Sequence, residues 1–434
     1  MKPKSKTQPP TEKIANQIEA LIKKFYAAAK TGAARPADKV ALSAPAMDSQ
    51  EAVRVMRTFL GGWISQGPNV REFEGSFARY VGSAAGIAVN SGSSANLLAL
   101  HALKEIFGLR DGDEVLLPAT TFATVAMPVL QVGLVPVYVD VRGDTMNLDP
   151  DQIAGAVSSR TRILMPVHTL GYPADMPRLM ELAKRHNLLV LEDCCEAHGS
   201  SINGRKAGSF GNIASFSFFV AHNMTTGEGG MITTTNPRLE TACRSLREFG
   251  RCDQRDVSTN RYYSDDVLKD FDRRYVFDKL GYNVRMTDIA AAMGIEQLNK
   301  LDAMNKLRRR NAALYRKILS QRAADFIDLP VEEPGCFHTY YTFPMVLKRS
   351  APFRRRELTE YLEARGIETR PLFAGCLPDQ PAFRRAPGRV AGSLPNARFL
   401  RDNALFIGVH PNLEPRQVRY AANTIVSFLK KYQR

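Results

Sequence analysis

Ile163-Leu-Met-Pro-Val167, Met176-Pro-Arg-Leu-Met-Glu-Leu-Ala-Lys-Arg-His186 and Leu188-Leu-Val-Leu-Glu192 follow one another along the chain, and their order decides the fold class. The outer two are short and apolar on both faces, as strands must be when helices cover both sides of a parallel sheet. The middle one spaces its apolar residues at helical intervals. Working outward, residues 115–117 and 135–141 repeat the short apolar run upstream, and 215–219 and 231–234 repeat it downstream. The pattern predicts a large α/β domain over residues 46–300. Helical periodicity over 288–315 bridges to residues 301–434, where strand-like 341–347 and helical 356–365 and 415–430 predict a smaller α+β domain.

Before this body lies an arm, residues 1–45. Its first dozen residues are rich in Lys, Pro and Thr and predict disorder. Ile14, Ile18, Leu21, Ile22 and Phe25 then recur as one amphipathic helix, and the Ala, Gly and Pro of residues 31–45 read as a linker. No apolar h-region follows the first basic residues and no run is long enough to span a bilayer, so the cytoplasm is the expected location. The net charge of +15 is scattered, and the short runs Arg308–Arg310 and Arg354–Arg356 read as solvated helix faces rather than a nucleic-acid footprint. The six cysteines have no zinc-site spacing and read as reduced core thiols.

Four stretches carry chemistry. Asn90-Ser-Gly-Ser-Ser-Ala-Asn96 follows the apolar run 87–89 and opens a helix. Free backbone N–H groups and hydroxyls at that point form a phosphate cradle, or simply cap the helix. Leu191-Glu-Asp-Cys-Cys-Glu-Ala-His-Gly199 ends a strand in a carboxylate, Asp193, at the edge where open α/β sheets bind ligands. That carboxylate suits a protonated pyridine nitrogen, or caps a helix. The others are Ser215-Phe-Ser-Phe-Phe-Val-Ala-His-Asn-Met-Thr-Thr-Gly-Glu-Gly-Gly230 and Leu280-Gly-Tyr-Asn-Val-Arg-Met-Thr-Asp288.

With these motifs in this order, the chain resembles the sugar aminotransferase and dehydratase family, a fold-type-I group dependent on pyridoxal phosphate (PLP). The resemblance runs from Trp63 to His410. It implies that Gly92 and Ser93 hold the cofactor phosphate, with a further hydroxyl from Ser217. Phe122 matches the aromatic residue that stacks on the pyridine ring, and Asp193 the partner of the ring nitrogen. Glu196 falls where many members carry a glutamine near the phenolic oxygen, and a carboxylate there repels a phenolate unless protonated or hydrogen-bonded. Asn283 matches an asparagine that reaches the phosphate in the neighbouring subunit, which implies a homodimer with shared sites. Arg370, His338 and His410 match substrate-facing positions only loosely.

The departure is His222. Aminotransferases of the family carry there the lysine that binds the cofactor as an imine. An imidazole cannot form that bond but can move protons, with an ordinary pKa near 6.5. The change resembles the 3-dehydratase branch, which holds pyridoxamine phosphate (PMP) non-covalently and removes the 3-hydroxyl of a nucleotide-linked 4-keto-6-deoxyhexose, as 3,6-dideoxysugar and lipopolysaccharide synthesis requires. His222 is then expected to act as base and afterwards as acid, with a pKa near working pH. A basic surface also suits steering of a nucleoside diphosphate.

Two subtypes are implied. One, acting on a CDP-linked 4-keto-6-deoxyglucose, holds an iron–sulfur cluster on four cysteines and takes electrons from a reductase. Here Cys195 matches the first ligand, but Gly250 to Thr259 contains only Cys252, so no metal is expected. The other, acting on a GDP-linked 4-keto-6-deoxymannose, lacks a cluster and regenerates PMP from glutamate, the reading preferred here. The N-terminal helix and residues 253–277 look more like the first. A sugar aminotransferase and a silent binding protein on this fold are the alternatives.

Overall fold

The computed structural model describes residues 9–32, 36–252 and 271–433. Its main sheet is built from β1 (Ala85–Val89), β2 (Glu114–Pro118), β3 (Val135–Val139), β4 (Thr161–Leu164) and β5 (Leu189–Asp193). A hairpin, β6 (Ser201–Ile202) and β7 (Arg205–Lys206), precedes β8 (Ile213–Ser217) and β9 (Gly230–Thr234). After these come β10 (Ile327–Asp328), β11 (Cys336–Phe337), β12 (Phe343–Leu347), β13 (Thr369–Pro371), β14 (Arg389–Val390) and β15 (Ala404–Ile407). The large sheet has the order β1-β9-β8-β5-β4-β2-β3-β14 and the small one β10-β12-β15-β13. Every large-sheet pairing is parallel except those of β9 with β1 and β8.

The exception positions the site. A parallel return needs a crossover, usually a helix. Between β8 and β9 the chain instead folds back through a tight loop. Thr226 N–H bonds Phe218 O, Thr225 Oγ1 bonds the same carbonyl, and Gly227 takes φ +80°. His222 is therefore held at the C-terminal edge of β8, beside that of β5.

The long helix Asp288–Leu319 carries the chain from the first sheet to the second, so the expected division at residue 300 falls inside it. The later chain also returns to the first unit. β14 extends its edge beside β3, and Leu372, Cys376, Leu377, Leu394, Ala397 and Leu400 join its main core.

Three expectations are corrected. Residues 10–12 are not disordered but open the first helix, Pro10–Gly32, while residues 1–8 lie outside the described residues. The end of the supposed linker is tied down: Val40 is fully buried and bridges Ile367, and Leu42 N–H bonds Glu368. Arg308 is not on a solvated face, being 3% exposed. Most of the segment 253–277 lies outside the described residues.

Candidate active site

Three strand ends converge. β1 runs into Asn90 and Ser91, whose hydroxyl accepts the Ser94 N–H and caps the helix Gly92–Phe107. The first strand residue of β9, Gly230, pairs with Val89 on one side and Ser217 on the other. Any side chain at 230 would collide with the Ser91 carbonyl. A Cβ on Gly92 would stand 2.5 Å from Ser217 Cβ and 3.1 Å from Cys195 Sγ. Gly92 and Ser217 are thus packed together at a helix N-terminus, with Ser93 exposed beside them. The capping reading is met by Ser91, and Gly92, Ser93 and Ser217 lie beside it at the helix N-terminus.

Asp193 closes β5 and is 4% exposed. Asn96 Nδ2 donates to its Oδ2 at 2.8 Å and the Cys195 N–H to its Oδ1 at 3.0 Å. Ser215 Oγ in turn donates to Asn96 Oδ1 at 2.6 Å. The helix-cap reading of Asp193 is therefore replaced: no helix follows, and the carboxylate is oriented from a neighbouring helix. Asn96 was visible inside the first motif, one helical turn beyond Gly92, but had no assigned role.

Glu196 lies within the turn that the Ala197 N–H closes on Cys194 O. Its Oε2 accepts the Leu170 N–H at 2.7 Å. Burial nonetheless pushes its carboxyl up to about 8; the Leu170 bond opposes the rise and the Asp193 charge adds to it. Leu170 sits at φ 53°, a strained conformation for a branched residue, and its carbonyl accepts the Tyr341 N–H at 2.9 Å.

Tyr341 packs on the His222 ring with centroids 5.2 Å apart, and His198 and Phe219 lie 6.0 and 6.2 Å away. The Nδ1 of His222 is buried with no hydrogen-bond partner. Burial, followed by the Arg308 charge, drives its pKa down to about 3. This corrects the expectation of a pKa near working pH: in this pocket the imidazole is neutral. Its turn is joined to the cradle, since Phe219 N–H bonds Ser217 Oγ and Phe219 O accepts the His222 N–H.

The remaining residues are more scattered. Phe122 follows β2, is 58% exposed and meets only the edge of Phe373 among described rings, at 6.5 Å. Asn283 is exposed on the segment that runs beside Val89 and Asn90, and its oxygen accepts from Arg285. His338 and His410 are buried, and Arg370 is exposed. Among the described residues one group has metal-ligand spacing, His168, Glu192 and Cys194. The His168 and Glu192 atoms of this group are already used. His168 Nδ1 accepts the Ala174 N–H, so its Nε2 carries the proton that faces Glu192 at 3.1 Å. Glu192 also takes the N–H groups of Gly208, Phe210 and Gly211. The described cysteines are all free thiols.

Residues 45–426 match the model of the DegT/DnrJ/EryC1/StrS aminotransferase family. The chain belongs to that family. Its members are PLP-dependent, sugar-modifying enzymes, and the mostly parallel sheet with a smaller second unit is their fold type I. The chain is 38% identical over 400 residues to a dTDP-4-dehydro-2,6-dideoxy-D-glucose 3-dehydratase of Saccharopolyspora spinosa, covering 90% of this chain and 86% of the relative. It is 37% identical over 336 residues to a GDP-perosamine synthase of Caulobacter vibrioides, covering 77% and 84%. An Escherichia coli GDP-4-keto-6-deoxy-D-mannose-3-dehydratase, solved with hydrated PLP, superposes with a TM-score of 0.82 at 29% identity, covering 89% of this chain and 99% of that one. Among the described residues no helix is long and apolar enough to cross a membrane.

Proposed function

We propose that this chain is a PMP/PLP-dependent 3-dehydratase acting on a nucleotide-linked 4-keto-6-deoxyhexose, in the cytoplasm, with glutamate as amino donor. One observation carries the reading: an imidazole, His222, occupies the turn beside the Gly92–Ser217 cradle where a lysine would otherwise bind the cofactor. The donors fit the cofactor. The helix N-terminus at Gly92, with Ser93 and Ser217, suits its phosphate. Asp193, oriented by Asn96, suits a protonated ring nitrogen, Phe122 its ring face, and Glu196 its phenolic oxygen. When bound, PMP supplies an amine for the sugar ketone and a ring that accepts electrons.

The protein's own part is proton handling. A neutral His222 can accept a proton at an unpartnered nitrogen. Glu196, protonated at neutral pH, can donate to an oxygen without repelling it, which answers the repulsion a carboxylate would cause. At neutral pH Glu196 still carries a proton and His222 does not, so Glu196 is the member of the pair with a proton to give and His222 the one free to accept. Asn283, exposed on the segment beside Asn90, is suited to serve a partner subunit in a homodimer.

The test is mass spectrometry of products from CDP-, GDP- and TDP-linked 4-keto-6-deoxyhexoses with glutamate and no reductase. The expected product lacks the 3-hydroxyl and keeps the 4-ketone. An aminosugar would favour the synthase-like alternative, and strict dependence on a reductase would overturn the glutamate reading.

A further inference from the structure

We infer that Arg308 is the positioning residue for His222: a single buried guanidinium anchors the turn that carries the imidazole and keeps a positive charge beside it. The inference rests on the role given to His222 above. Arg308 projects from the helix Asp288–Leu319. Its Nη1 donates to Tyr341 O at 2.9 Å and Tyr340 O at 3.3 Å, and its Nη2 to His222 O at 3.4 Å. Its Nε has no partner. No carboxylate among the described residues pairs with it, whereas its neighbour Arg309 pairs with Glu332 at 2.8 Å.

A buried cation is ordinarily matched by a buried anion, because leaving water is costly for a lone charge. Here three main-chain carbonyls take the anion's place. They belong to the two segments that enclose the imidazole, the His222 turn and residues 340–341. The bonds at 340–341 also steady a strained residue, since Tyr340 sits at φ 49°.

Several groups face the imidazole. His198 is pushed well below its ordinary range by burial and is neutral. Tyr341 is pushed up chiefly by burial and is neutral too. Phe219 carries no charge. Arg308, lowered by burial only to about 10, remains protonated. It is therefore the one fixed charge among the described groups packed on His222, and it holds the ring in the form that accepts a proton.

The test uses cofactor-free protein, so it does not depend on which product the enzyme releases. Nitrogen-15 NMR of labelled histidine follows His222 between about pH 2 and 7 in wild type, Arg308→Gln and Arg308→Lys. Arg308→Gln keeps N–H donors without the charge, and Arg308→Lys keeps the charge without the fork. The expected result is a His222 midpoint raised by about one pH unit in Arg308→Gln and little moved in Arg308→Lys. In the loaded enzyme, the acid limb of kcat/KM should move with it. Arg308→Met supplies the neutral comparison if the glutamine chain fails to fold. An unmoved midpoint in the neutral variants, or equal movement in Arg308→Lys, would overturn the inference. A failed dehydratase reading would instead appear in the product alone.

Discussion

The two halves of the site are built on opposite principles. Around Asp193 the polar groups are partnered: Asn96 and the Cys195 N–H fix the carboxylate, and Ser215 fixes Asn96. Around His222 they are not. The imidazole Nδ1 and the Arg308 Nε lack partners, and Leu170 and Tyr340 both sit at positive φ. A satisfied network holds one geometry rigidly, which suits binding. Unmet polar groups and strained residues persist only where the surrounding structure enforces them, and such features cluster at functional sites.

Breaking the second half should have the largest effect. His222→Asn removes the proton acceptor and should lower turnover by about 10²- to 10⁴-fold. Cofactor binding, followed by absorbance titration, should persist because the cradle is untouched. His222→Lys should add a borohydride-reducible attachment at residue 222, detectable by peptide mass spectrometry, and abolish loss of the 3-hydroxyl. A pyridoxyl adduct on some other lysine of the wild type would contradict non-covalent binding.

Breaking the first half should instead cost stability and affinity. Asn96→Leu leaves a buried oxygen of Asp193 and the Ser215 hydroxyl without their partner, a loss of about 1–3 kcal/mol in denaturant unfolding. Gly92→Ala forces a methyl against Ser217 and should cost about 1–3 kcal/mol and weaken phosphate binding. Equal stability in either variant would mean that the cradle is looser than described.

The comparison also explains what could be read beforehand. Parallel strands buried on both faces announce themselves as apolar runs, so β2 to β5 were legible to within a few residues. The places of Asp193 and Ser217 at strand ends, and of Gly92 at the start of the helix after β1, were legible because each lies inside a recognisable motif. Arg308 was not, because its place in an Arg-Arg-Arg run suggested a solvated face. The helical spacing of Leu301, Met304, Ala312 and Tyr315, all buried, puts position 308 on the inner side, and that signal was available. The low proton affinity of His222 was not available, since it comes from burial and from a charge 86 positions away in sequence. Nor was the route by which Leu170 holds Glu196, because it depends on a backbone N–H and carries no residue-type signature.

The two titrations should sharpen the contrast with smaller effects. Glu196 holds its proton more tightly in the folded chain, near 8, than in the unfolded one, about 4.3. The wild type should therefore lose stability as pH rises through that window, and Glu196→Gln should not. Melting temperatures of the two proteins should converge near the acid end and separate above about pH 8. His222 runs the other way. Its folded pKa near 3 lies below the unfolded value of about 6.5, so its contribution is intact above about 6.5 and fades as pH falls toward 3.

Nitrogen accounting tests the central claim most directly. With ¹⁵N-glutamate and a 4-keto-6-deoxy nucleotide sugar, an enzyme that removes the 3-hydroxyl through His222 should release one ¹⁵N-ammonium and one 2-oxoglutarate for each deoxygenated ketone, with no label in the sugar. Label retained in the sugar as an amine would show that the chain transfers nitrogen rather than eliminating a hydroxyl, and would contradict the account.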